Sequence, residues 1–186
     1  MRAQYQKAKV FGIYNFSPML TAEEIRKRLK LQPHPAEGGY FVETYRSQHQ
    51  IAQAALPSAY PGDRSVSTAI YYMLTADNFS AMHRLRGDEI FHFYLGDPVE
   101  LLQLRADGIC EVITLGQDIA AGMHLQHVVS AGAWQGSRLA RGGKYALLGT
   151  TVAPGFDFQD FEVGERNSLM AEFPQYANLI RELTRQ

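Results

Sequence analysis

Between Gly39 and Val152 the chain places apolar residues at every second position, in short stretches broken by glycine and proline. Only a β-strand sends alternate side chains to opposite faces, so this pattern commits the chain to a strand-built fold. The clearest stretch is Ser65–Thr75, where Val66, Thr68, Ile70, Tyr72 and Leu74 share one face. Further strands are predicted over Gly39–Ser47, Glu89–Leu95, Val99–Arg105, Ile109–Leu115, His127–Ser130, Trp134–Leu139 and Tyr145–Val152. Asp107-Gly108 supplies a tight turn between two of them. Pro57, Pro61 and Gly62 mark residues 48–64 as loop. About eight short strands at near-regular spacing predict an all-β sandwich or barrel.

At both ends the spacing is different. Thr21-Ala22-Glu23-Glu24 is a capping box, followed by Ile25 and Leu29 as a narrow apolar stripe, with Pro33 and Pro35 as the expected stop. After Pro154 helical spacing returns, with Met170 and Phe173, then Tyr176, Leu179 and Ile180. Residues 1–20 are aromatic and irregular, an arm laid over the domain or over a partner. The expected organisation is this arm, a strand-built domain over 21–160, and a helical tail over 161–186 packed on the same domain. A chain of 186 residues buries enough apolar surface to fold without disulfides or structural metals.

Composition excludes several function classes. The formal net charge is -1 and no basic stripe appears, which argues against nucleic acid as a partner. No apolar run approaches the roughly 20 residues that span a bilayer. Residues 1–20 contain no signal-peptide core, so no membrane association and a cytoplasmic location are expected. The single cysteine, Cys110, allows no intrachain disulfide and fits a reducing compartment. Its neighbours Ile109 and Val112 predict a buried strand residue. There is no G-x-S-x-G elbow and no kinase or dinucleotide fingerprint. Glu37-Gly38-Gly39-Tyr40 lacks the helix and lysine of a phosphate loop, and reads as a tight entry into a strand.

The most specific stretch is His83-Arg84-Leu85-Arg86-Gly87-Asp88-Glu89-Ile90-Phe91-His92-Phe93-Tyr94-Leu95-Gly96. It resembles the first cupin motif, in which histidines two apart are followed by a glutamate and, seven residues on, a glycine. His83, Glu89 and Gly96 match, and Leu85 stands at the second histidine. Ser130-Ala131-Gly132-Ala133-Trp134-Gln135 resembles the second motif, with Gly132 matching and Gln135 in place of its histidine. With Leu31-Gln32-Pro33-His34-Pro35, Glu37-Gly38-Gly39-Tyr40-Phe41, Glu43-Thr44-Tyr45-Arg46-Ser47, Ser67-Thr68-Ala69-Ile70-Tyr71-Tyr72 and Trp134-Gln135-Gly136-Ser137-Arg138, the chain resembles a cupin-superfamily group long catalogued as a domain of unknown function. The resemblance covers roughly residues 20–160. It implies a double-stranded β-helix (jelly-roll barrel), a homodimer, and a small organic molecule in the barrel mouth. It implies no particular reaction, because fold does not fix function.

A metal-dependent cupin needs about four nitrogen or oxygen side chains converging inside the barrel. This chain offers His83 and Glu89. Leu85 has no lone pair, Gln135 is a weak neutral ligand, and His92 points away from the face shared by Glu89, Phe91 and Phe93. No cofactor is therefore expected, with a divalent ion completed by Gln135 or water as the alternative. Metal-free sugar epimerases of the superfamily pair a histidine base with a tyrosine acid. On that pattern His83 takes a proton next to a carbonyl, Tyr72 (or Tyr40 or Tyr94) returns one, and Glu89 orients the imidazole. The expected lining is Tyr40, Arg46, Phe91, Phe93, Trp134 and Gln135. Glu43 and Arg46, three apart on a strand, are expected to face opposite ways, with Arg46 free to grip a carboxylate or phosphate. Arg138, on the face of Trp134, is expected outside the barrel. The same residues admit a plainer reading, in which His83 and Glu89 bond each other and Trp134 packs in the core. The function expected is an isomerase or epimerase acting on a sugar-like or carbonyl substrate. A non-catalytic metabolite binder and a metal-dependent oxygenase or isomerase stand as alternatives.

Overall fold

The computed structural model describes residues 20–58 and 60–185. The aromatic arm with Tyr5, Phe11, Tyr14 and Phe16 lies outside the described residues. Helix α1 (Ala22–Leu29) starts with the predicted capping box, Thr21 and Glu24 each bonding the other's backbone amide. It ends at Lys30, whose φ of 57° turns the chain before either proline is reached. Pro33 instead lies in β1 (Gln32–Pro33), an edge strand, where a missing amide costs no ladder bond.

The strands that follow are β2 (Tyr40–Arg46), β3 (Gln50–Ile51), β4 (Arg64–Ser65), β5 (Thr68–Thr75), β6 (Ser80–Leu85), β7 (Asp88–Gly96) and β8 (Val99–Leu104). After them come β9 (Cys110–Leu115), β10 (Gln126–Val129), β11 (Trp134–Leu139), β12 (Tyr145–Ala153) and β13 (Phe161–Val163), then helices α2 (Arg166–Glu172) and α3 (Ala177–Glu182). One sheet runs β1-β2-β5-β12-β7-β10 and the other β13-β6-β11-β8-β9, while β3 and β4 pair in a small ribbon. The fold is an all-β jelly roll whose two sheets face each other without closing into a continuous barrel.

The inner faces meet in a core that includes Tyr72, Leu74, Phe91, Phe93, Leu101 and Leu148. The outer face of the five-stranded sheet is covered by the C-terminal helices, with Leu169, Phe173, Ile180 and Leu183 on Met82, Leu102 and Leu104. Helix α1 covers part of the other outer face, setting Ile25 and Leu31 on Met73 and Leu147. This second layer explains why β6 carries no alternation in sequence: helices cover its outer side, so both faces are buried. Strand β9 corrects the expectation for Cys110. It is a sheet edge, so Cys110 is only half-buried, and Ile109 and Val112 are 54% and 44% exposed. Among the described residues no helix is long and apolar enough to cross a membrane.

Candidate functional site

At one end of the sandwich the sheets part around a cavity of about 240 Å³. Its floor is set by a turn. Gly38 and Gly39 take φ of 107° and 65°, and a side chain on Gly38 would strike the Phe79 carbonyl. The turn directs Glu37 inward, and the Tyr72 hydroxyl holds it from below by donating to Gly38 O at 2.9 Å. Ser80 donates to Glu37 Oε1 at 2.5 Å. His34 Nδ1 accepts the Glu37 amide at 2.8 Å, so in the neutral ring the proton sits on Nε2, 3.9 Å from Glu37 Oε2.

His83 projects from β6 into the same space. Its Nδ1 donates to Ala81 O at 2.7 Å, which leaves the lone pair of the neutral ring on Nε2. The ring stacks on Phe161 at 4.9 Å and is 2% exposed. Glu89 lines the cavity from the facing sheet, and Gln135, opposite His83 in register, donates Nε2 to Glu89 Oε2 at 2.6 Å.

Burial dominates the electrostatics. It lowers the pKa of His83 below the ordinary imidazole value, with Glu89 opposing in part. It lowers that of His34 too, against the pull of Glu37. Burial raises both carboxyls, Glu37 with His34 and Ser80 pulling back, and Glu89 with His83 pulling back while Glu37 adds to the rise. Imidazoles that take a proton less readily than usual thus face carboxyls that hold theirs more tightly.

The mouth depends on a bulge. The register of β2 shifts between Glu43 and Tyr45, so Glu43 and Arg46 fall on one face rather than two. Arg46 grips Glu43 with two bonds, at 3.1 and 2.7 Å, and its Nη1 donates to Phe156 O at 3.1 Å. Phe156, Asp157, Phe158 and Phe161 complete the lining as a roof. A buried fork from Arg64 to Asp160, at 2.6 and 2.8 Å, anchors that segment, and Phe156 N donates to Thr68 Oγ1 at 2.9 Å.

Of the residues singled out in the sequence, His83, Glu89 and Arg46 line the cavity, and fully buried Gln135 backs Glu89. Several others are corrected. Tyr72, Phe91 and Phe93 fill the core beneath the cavity, and burial pushes the Tyr72 hydroxyl well above its ordinary pKa. Tyr40 lies on the outer face with the Arg26 guanidinium 5.0 Å from its ring, and Trp134 lies on the outer face under Arg84 at 4.4 Å. Tyr94 lies against Gly149, on the face opposite Phe93. Period-two geometry requires this, since the neighbours Phe41 and Gln135 point inward. Arg138 binds Glu100 outside, as expected. His34 and Glu37 escaped the sequence reading; the one available signal was an imidazole and a carboxyl flanking a turn just before Gly38-Gly39.

Leu85 lines the wall without a donor atom, and Gln135 turns its amide nitrogen, not its oxygen, to Glu89. Among the described residues no three of His, Cys, Asp and Glu converge as ligands.

A two-sheet jelly roll with an inward histidine and carboxyl between its sheets is the architecture of a cupin. The chain belongs to the cupin superfamily (DUF985), whose family profile matches residues 23–164. It is similar to a hypothetical protein from Leishmania major, with 33% identity over 90% of this chain and 100% of that one, at a TM-score of 0.82. It is also similar to a protein from Shewanella oneidensis, with 32% identity over 90% and 99% of the chains, at a TM-score of 0.77. A cupin 2 domain-containing protein from Halorhodospira halophila shares the fold at 11% identity, over 80% and 84% of the chains, with a TM-score of 0.51. No curated protein matches the chain.

Proposed function

We propose that the protein binds a small polar metabolite in this cavity and moves a proton on it without a metal ion, as an isomerase or epimerase does. The observation that carries the reading is the His83 ring: Nδ1 is committed to Ala81 O, so the Nε2 lone pair is left for the cavity. His83 Nε2 removes a proton from carbon next to a carbonyl, and Glu89 steadies the imidazolium that forms. The return proton comes from the carboxyl of Glu37, which lines the cavity, rather than from Tyr72, whose hydroxyl is held by Gly38. At about 240 Å³ the cavity is smaller than the roughly 300–1,000 Å³ typical of drug-sized ligands, which suits a small metabolite.

Mass spectrometry of what co-purifies identifies the ligand, and incubation in heavy water then reads the chemistry. Deuterium should enter one C–H position with the wild type. His83→Gln should slow that by about two to four orders of magnitude while keeping the fold. A ligand recovered from the wild type without deuterium refutes the reading and leaves a non-catalytic binder.

A further inference from the structure

The cavity's lining is unbalanced in charge. Four carboxyl side chains reach it, Glu37, Glu43, Glu89 and Asp157, against one cation, Arg46. Arg46 is spent: Nε and Nη2 are on Glu43 and Nη1 is on Phe156 O. Asp157 is engaged as well, accepting the Gln159 amide at 2.9 Å. Glu37 accepts from Ser80 and lies 3.9 Å from His34 Nε2, and Glu89 accepts from Gln135. Among the described residues neither carboxylate pairs with a lysine or arginine; Arg185 reaches the backbone carbonyl of Glu37, at 3.0 Å. A buried carboxylate without a cation is costly.

A second feature points the same way. His83 is almost wholly buried, and its Nε2 makes no hydrogen bond to the described residues. It is an acceptor that a ligand N–H would satisfy. Around these acceptors stand Phe41, Phe156, Phe158 and Phe161, with Phe156 and Phe158 at 5.1 Å between ring centroids. Phenyl rings attract ammonium groups through their negative faces, and aromatic cages with acidic floors are how proteins recognise such groups.

We infer that the ligand of this cavity is a small ammonium compound, held between the Glu89 carboxylate, the carbonyl oxygen of the protonated Glu37 carboxyl and the phenyl rings of the wall and roof. This names the substrate class of the acid–base site and rests on that reading for the chemistry, though not for the binding. A neutral sugar would leave the Glu89 carboxylate uncompensated. An anion would meet that carboxylate with no free cation to offset the repulsion. An ammonium beside the reacting carbon also acidifies its C–H, which suits a neutral imidazole as base.

Calorimetry on the intact chain with three probes of equal length, propylammonium, propanol and propanoate, tests the inference. Propylammonium should bind at least about tenfold more tightly than either of the others. Glu89→Gln should erase that preference. Equal or tighter binding of propanol or propanoate overturns the inference, as does no heat from propylammonium at about 50 mM. A preference unchanged in that variant overturns it too. The heavy-water experiment separates the two readings: an amine preference without deuterium entry sinks only the acid–base chemistry, and deuterium entry without the preference sinks only the ligand class.

Discussion

The amide nitrogen of Gln135 donates to Glu89 across the gap between the two sheets, at 2.6 Å. Gln135 stands where the second cupin motif has a metal-ligating histidine, and here the side chain is spent on the carboxylate instead. An amide neither titrates nor offers a strong lone pair, so it fixes Glu89 in place while leaving its charge free to change. With Leu85 at the other vacant histidine position, the chain has given up two nitrogen donors.

Metal content follows from that pair. Protein purified without chelator should carry far less than one equivalent of iron, manganese, nickel or zinc per chain. A double variant, Leu85→His with Gln135→His, should gain metal, because it adds two imidazoles beside His83 and Glu89. Elemental analysis of both proteins decides this, and one equivalent in the wild type would contradict it.

Stability should depend on pH through Glu37. Its folded pKa is raised by burial, against the pull of His34 and Ser80. Its contribution is therefore fully present below the unfolded carboxyl value and is lost as pH rises through the folded one. Glu37→Gln should raise the melting temperature more at about pH 8 than at about pH 5. The reverse order would show that the carboxylate is stabilised in the fold. His83 and His34 have lowered values, so theirs is present above the ordinary imidazole pKa and is lost on acidification.

Arg46 ties the roof to β2 through Phe156 O. The Arg46–Glu43 pair is about 40% exposed, so Arg46→Met should cost less than about 1 kcal/mol of global stability. Its effect should be local, with faster amide exchange at Phe156 and Phe158 and unchanged exchange in β5 and β12. Hydrogen exchange read by mass spectrometry checks this, and an unchanged roof would remove Arg46 as its latch.

The fold was legible because its inner-facing strands alternate. Thr68, Ile70, Tyr72 and Leu74 do share the inner face of β5, although Val66 falls outside the strand and is 44% exposed, and the capping box at Thr21 and Glu24 forms. What stayed hidden depended on a second layer or an irregularity. Strand β6, which carries His83, is buried on both sides and shows no period. The bulge in β2 reverses the expected separation of Glu43 and Arg46, and nothing in Glu43-Thr44-Tyr45-Arg46 announces it. His34 and Glu37 sit in a turn, where spacing carries no facing information. Tyr40 and Trp134 have the chemistry of a pocket lining, but it is the residues beside them that point inward.

A homodimer is expected in solution. The outer face of the six-stranded sheet beyond α1 presents Tyr94 and Val128, 43% and 47% exposed, with Tyr71 against Tyr94. An aromatic, weakly charged patch of this kind is typical of interface centres. Sedimentation equilibrium at micromolar concentration should give twice the chain mass, and Val128→Lys should shift it toward one. A wild-type monomer would contradict the expectation.

The central claim is that His83 presents a basic Nε2 to the cavity, and nitrogen-resolved NMR of its imidazole tests it without knowledge of the substrate. The expected spectrum at neutral pH shows a neutral ring protonated on Nδ1, with an Nε2 that takes a proton only below the ordinary histidine pKa of about 6.5. A ring already charged at neutral pH, or one carrying its proton on Nε2, would contradict the assignment of His83 as the base.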